Sequence, residues 1–149
     1  MYTYVCCHEV CEVVAGNQTL RVVVIDESHT QLALYERSVF TLSAELECFR
    51  SSEESMEYLR THDANIVLLD LAMTGRDGLS WLREMRTVEG HADTPVIVIT
   101  SKDYAQDRLL AKELGAVDYF VKPLKSQEIR DLICQHGNIS PLEDDSPNP

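Results

Sequence analysis

Long hydrophobic runs are missing from this chain. The longest, such as Ile66 to Leu69 and Val96 to Ile99, hold four residues. A bilayer-spanning helix needs about 20, so no membrane span is expected. Basic residues are also scarce, 13 against 25 acids, and the formal charge is −12. Such a surface repels phosphate backbones, and no local basic stripe offsets it, so direct nucleic-acid binding is not expected. A disulfide framework is missing too. The five cysteines are odd in number, and Cys6, Cys7 and Cys11 crowd the first eleven positions. The N-terminus carries neither a basic region nor a long apolar one, so no secretory signal is read. A reducing cytoplasm is the expected location.

What remains is a chain of 149 residues, 44% hydrophobic and 26% charged. That is the balance of one ordinary soluble domain. Short β-branched runs alternate with stretches of helical spacing from Arg21 onward. The strand candidates are Val22–Ile25, Leu46–Phe49, Ile66–Leu69, Val96–Ile99 and Val117–Val121. Between them, Leu79, Leu82 and Met85, or Leu110 and Leu114, recur as one face of a helix. Ser51 with Glu54 stands at capping-box spacing, Ser101 and Ser126 mark the starts of the fourth and fifth helices, and Gly115 sits where a C-cap glycine belongs. Five strands alternating with five helices predict an α/β domain with a parallel sheet, its strands continuously apolar because helices cover both faces. The expected domain runs over 21–136. Residues 1–20 form a flexible extension, and 137–149, with three prolines, three acids and no basic residue, a disordered tail.

Ligands of open α/β sheets bind outside the carboxyl ends of the strands. There the first strand delivers Asp26 and Glu27, the third Asp70, the fourth Thr100, and the fifth Lys122. Three close carboxylates repel one another unless a cation compensates. A hard divalent ion with oxygen ligands, Mg²⁺ or similar, would do so. Lys122 adds a point charge, Thr100 a hydroxyl, and Asp70 at the centre a nucleophile able to form an aspartyl phosphate. A lone Asp after an apolar run is ordinarily a turn or cap residue, and it is the convergence that favours chemistry. Glu27 also fits a solvated first-turn acid, and Tyr119 an ordinary edge-strand tyrosine.

Four motifs carry a resemblance: Val22-Val23-Val24-Ile25-Asp26-Glu27; Leu68-Leu69-Asp70 with Met73 and Asp77-Gly78; Pro95 to Ser101; and Gly115 to Pro123. In this order they resemble the receiver domain of two-component response regulators, in its CheY-like, single-domain form. The resemblance implies a doubly wound five-stranded sheet in the flavodoxin-like order 2-1-3-4-5. It also implies Asp70 as phosphoacceptor and Mg²⁺ on Asp26, Glu27, Asp70 and the Ala72 backbone carbonyl. Thr100 and Tyr119 would be switch residues, Lys122 a salt-bridge partner, and the peptide before Pro123 cis. A sensor histidine kinase or phosphotransfer protein would donate the phosphate. Output would pass to a downstream protein target through a face holding Tyr104, Arg108, Tyr119 and Lys125, as a stand-alone switch. A relay intermediate needs the same chemistry, and an unphosphorylated interaction module shares the fold. Slow loss of the chain's own phosphate is expected, tuned by Ala72 and Lys102.

One departure is Met73-Thr74 where the commonest loop has Met-Pro, a change expected to loosen the loop. A phosphatase reading fits poorly, since the position two after Asp70, where such enzymes carry an acid, holds Ala72. Cys6, Cys7, His8 and Cys11 are spaced too tightly for a usual structural zinc site. Cys48 and Cys134 read as small core residues, and His29 as a surface residue near the acidic pair.

Overall fold

The computed structural model describes residues 19–138. The Cys-rich N-terminal cluster and the acidic, proline-containing tail from 139 lie outside them. The strands are β1 (Leu20–Ile25), β2 (Ala44–Phe49), β3 (Ile66–Leu69), β4 (Val96–Thr100) and β5 (Ala116–Val121). The helices are α1 (His29–Val39), α2 (Ser52–Thr61), α3 (Gly78–Met85), α4 (Ala105–Glu113) and α5 (Ser126–Gly137). All strand pairs are parallel, and the sheet order is β2-β1-β3-β4-β5, as the resemblance implied.

Successive side chains of a strand point to opposite faces, so each central run serves two cores at once. Val22, Val24, Leu68, Ile97 and Ile99 meet Leu32 and Tyr35 of α1 and Ile129 and Ile133 of α5. Val23, Ile25, Val67, Leu69, Val96 and Val98 meet Met56 and Leu59 of α2, Trp81, Leu82 and Met85 of α3, and Ala111 of α4. Each of these large side chains contributes about 1.5–3 kcal/mol by leaving water. That is why β1, β3 and β4 need unbroken apolar runs.

The edge strand β2 departs from that rule. Ala44, Leu46 and Cys48 pack on the first core, whereas Glu45 and Glu47 are exposed. Those glutamates hid its first two residues from a search for continuous runs. Cys48 and Cys134 are half-buried against the same core. Burial, with Glu36, Glu47 and Asp26 nearby, pushes the Cys48 thiol up to about 11. Its thiolate fraction at mildly alkaline pH is then roughly a hundredfold below that of an exposed thiol. Mass-mapped iodoacetamide labelling should therefore reach Cys48 far more slowly than a free cysteine peptide; equal rates would contradict this environment.

Two helix starts differ from expectation, those of α4 and α5. Helix α2 starts where expected: Ser51 Oγ accepts from the Glu54 amide at 3.3 Å, and its hydroxyl donates to Glu53 at 3.1 Å. Helix α4 begins after Tyr104 rather than Ser101, because the segment behind Thr100 turns to bring the Lys102 amide onto Thr100 Oγ1. At α5 the cap is Lys125, whose amide donates to Glu128 Oε2 at 2.6 Å. Ser126 is already helical, and its hydroxyl meets Ser38 Oγ of α1 at 2.9 Å. Strand β1 begins one residue before position 21 and α5 ends one beyond 136.

Gly115 does end α4, with φ +84, a conformation that disfavours side chains. Behind it lies Arg86, at the end of α3. Its guanidinium donates to the Leu114, Gly115, His91 and Thr94 carbonyls at 2.7–3.0 Å. The arginine thus fastens the rear of α4 to the α3–β4 connection, where the helix dipole is negative.

Candidate functional site

The carboxyl ends of β1, β3 and β5 place Asp26, Asp70 and Lys122 side by side. Lys122 Nζ donates to Asp26 Oδ2 at 2.6 Å and to Asp70 Oδ2 at 3.0 Å. Both acids are buried, Asp26 at 1% exposure and Asp70 at 7%. Their other oxygens accept backbone amides, Ser28 N onto Asp26 Oδ1 at 2.9 Å and Ala72 N onto Asp70 Oδ1 at 3.0 Å. Burial pushes the Asp26 carboxyl above its ordinary value, while Lys122 and the Ser28 amide hold it back. Two carboxylates thus share one ammonium at the carboxyl edge of the sheet. The peptide before Pro123 is cis.

Thr100 ends β4 and is fully buried, its Oγ1 accepting from Lys102 N at 3.2 Å. Tyr119 is half-buried, and its hydroxyl donates to the Lys102 carbonyl at 2.6 Å. One residue, Lys102, therefore touches both positions that the resemblance implied as switches. The Arg108 guanidinium lies 4.6 Å above the Tyr119 ring. Tyr104, Arg108 and Lys125 are exposed on this side. So are Leu109 and Val117, which sequence reasoning missed because they lie off the apolar faces of α4 and β5.

Glu27 behaves differently from its neighbour. Its Oε1 accepts both the amide and the hydroxyl of Thr74, each at 2.7 Å, and its own carbonyl accepts Arg50 Nε at 3.0 Å. The loop expected to loosen is thus tied down, because threonine supplies two donors where proline has none. The donor set of Asp26, Glu27, Asp70 and the Ala72 carbonyl is all oxygen and suits a hard divalent ion in kind. Among the described residues, however, no three acidic, histidine or cysteine side chains stand together in a metal-holding arrangement. Glu27 is turned to Thr74, and the two aspartates to Lys122. His29 is exposed at the start of α1, whereas His91 is buried and bonds Thr94 Oγ1 and the Leu59 carbonyl.

The response regulator receiver domain family matches residues 22–134, from β1 into α5. The chain belongs to that family. Solved receiver structures share its fold at low sequence identity. A CheY-like receiver domain protein from Methanospirillum hungatei superposes with a TM-score of 0.76 at 16% identity, covering 81% of this chain and 95% of its own. A response regulator from Thermotoga maritima gives 0.72 at 22%, covering 81% and 99%. The phosphorylated cyanobacterial phytochrome response regulator RcpA gives 0.72 at 19%, covering 78% and 93%. The receiver domain is thus a two-component signalling fold, of a family that signals rather than turns over a substrate. No helix among its described residues is long and apolar enough to cross a membrane.

Proposed function

We propose that this receiver domain accepts a phosphoryl group on Asp70 and signals by phosphorylation-dependent contact with a protein target. The observation that carries the reading is the shared ammonium: Lys122 holds Asp26 and Asp70 together at the carboxyl edge of the sheet. A sensor histidine kinase or phosphotransfer protein is the donor. A carboxylate oxygen of Asp70 attacks the donor's phosphorus, the bond to the donor nitrogen breaks, and that nitrogen keeps the electron pair. Mg²⁺, when bound by Asp26, Glu27, Asp70 and the Ala72 carbonyl, would offset charge on the phosphoryl oxygens. Lys122 neutralises a further oxygen, and slow hydrolysis of the acyl phosphate resets the domain.

The switch then runs through Lys102. When the Thr100 hydroxyl turns toward the phosphoryl group, the Lys102 amide loses its acceptor. The Lys102 carbonyl, which holds the Tyr119 hydroxyl, shifts with it. Tyr119 and Arg108 carry the change to the exposed face of α4, β5 and α5. The exposed apolar side chains Tyr104, Leu109 and Val117 of α4 and β5 suit a protein target rather than nucleic acid.

The test is incubation with acetyl phosphate, with and without Mg²⁺, followed by intact mass. One phosphate is expected, dependent on Mg²⁺ and absent from Asp70→Asn. No phosphate in the wild type, or one retained by Asp70→Asn, would overturn the assignment.

A further inference from the structure

We propose that Thr74 is a positioning residue that holds the Glu27 carboxylate away from the metal site, so that a divalent cation enters only as the Thr74–Glu27 contact opens. The proposal rests on the metal reading given above and names the residue that regulates it. Both donors of Thr74 converge on one oxygen of Glu27 at 2.7 Å. A carboxylate bound by two donors is stabilised where it lies, since hydrogen bonds to an ionised group are the stronger kind. Meanwhile Asp26 and Asp70 are both turned to Lys122, and no three ligating side chains assemble among the described residues. A cation that recruits Glu27 must therefore compete with Thr74.

The contact also joins two segments. Glu27 follows β1, whereas Thr74 lies two residues beyond Ala72, whose carbonyl would serve the same ion. Opening the contact frees the β3–α3 loop at the moment the ion arrives, so cation binding and loop release are one event. Thr74 is exposed, while the adjacent Met73 anchors the loop in the second core. Changes at 74 therefore leave the packing of the domain in place. Proline at this position, as in the commonest form of the loop, would remove both donors.

The experiment is calorimetric titration of the full chain with Mg²⁺ alone, comparing wild type with Thr74→Val, Thr74→Pro and Thr74→Ser. Thr74→Val loses the hydroxyl donor and should bind roughly tenfold more tightly, the scale of one hydrogen bond to a charged group. Thr74→Pro should gain more, and Thr74→Ser should match the wild type. Unchanged or weaker binding in both Thr74→Val and Thr74→Pro would overturn the latch while leaving the metal reading intact. No binding by any form would overturn the metal reading and the latch together. As a second readout, the wild-type Thr74 amide should lose protection from hydrogen exchange as Mg²⁺ saturates. Retained protection would also overturn the proposal.

Discussion

Replacing Lys122 by methionine is expected to cost the fold about 3–5 kcal/mol at neutral pH, the scale for removing one partner of a buried ion pair. The methionine fills similar space, so the loss is electrostatic. Asp26 and Asp70 would face each other across a site where neither is more than 7% exposed. Burial already raises the Asp26 carboxyl, and Lys122 is the first influence that opposes it. Without the lysine, the folded variant should keep a proton on Asp26 above 3.8, the ordinary value for Asp. An acid whose folded pKa exceeds its unfolded one binds more protons when folded, so stability falls as pH rises through that interval. The deficit of Lys122→Met should therefore shrink in mildly acidic buffer and grow toward neutrality. Urea unfolding at both conditions measures it. A flat profile with wild-type stability would mean that the lysine does not compensate the two acids.

The second large effect is expected at Gly78, the first residue of α3. A Cβ there would lie 2.7 Å from the Leu71 Cα and 2.9 Å from the Asp70 carbonyl oxygen. Both are backbone atoms at the end of β3, which is buried on both faces, so neither side can yield by rotating a side chain. Gly78→Ala should cost about 1–3 kcal/mol, the range for overpacking. Because the strained contact is with Asp70 itself, phosphate incorporation should fall as well. An alanine variant matching wild type in both urea midpoint and phosphorylation rate would show that the strand end is softer than its packing implies. Glycine here answers to close approach and not to an unusual dihedral.

The contrast between what was readable and what was not follows from how each residue acts. The β-branched runs of β1, β3 and β4 announce themselves because burial on both faces forbids polar residues. Asp26, Asp70 and Thr100 follow directly from those runs, since strand ends are set by strand positions, and Lys122 follows the run that ends β5. The start of β2 was obscured because its glutamates alternate with core residues. Ser101 and Ser126 misled for a different reason. A hydroxyl can cap a helix or bond elsewhere, and only tertiary contacts decide, as Ser126 shows by reaching Ser38. Thr74 and Arg86 were invisible in their roles, because each bonds to segments distant in sequence. The distance from Thr74 to Glu27 is 47 positions and that from Arg86 to Gly115 is 29.

Arg86 has a mechanical side as well. Its four carbonyl bonds fix the heel of α4, whereas Ala111 is the helix's only fully buried residue. Its toe begins after Tyr104, which makes no side-chain cap. Nine residues at about 1.5 Å each form a boom of roughly 13 Å. A tilt of about 10° about the heel would swing the toe by about 2 Å and leave Gly115 where it is. A displacement of that size is large on the scale of packed side chains, and Lys102, two residues ahead of Tyr104, sits at the end of the helix that moves most.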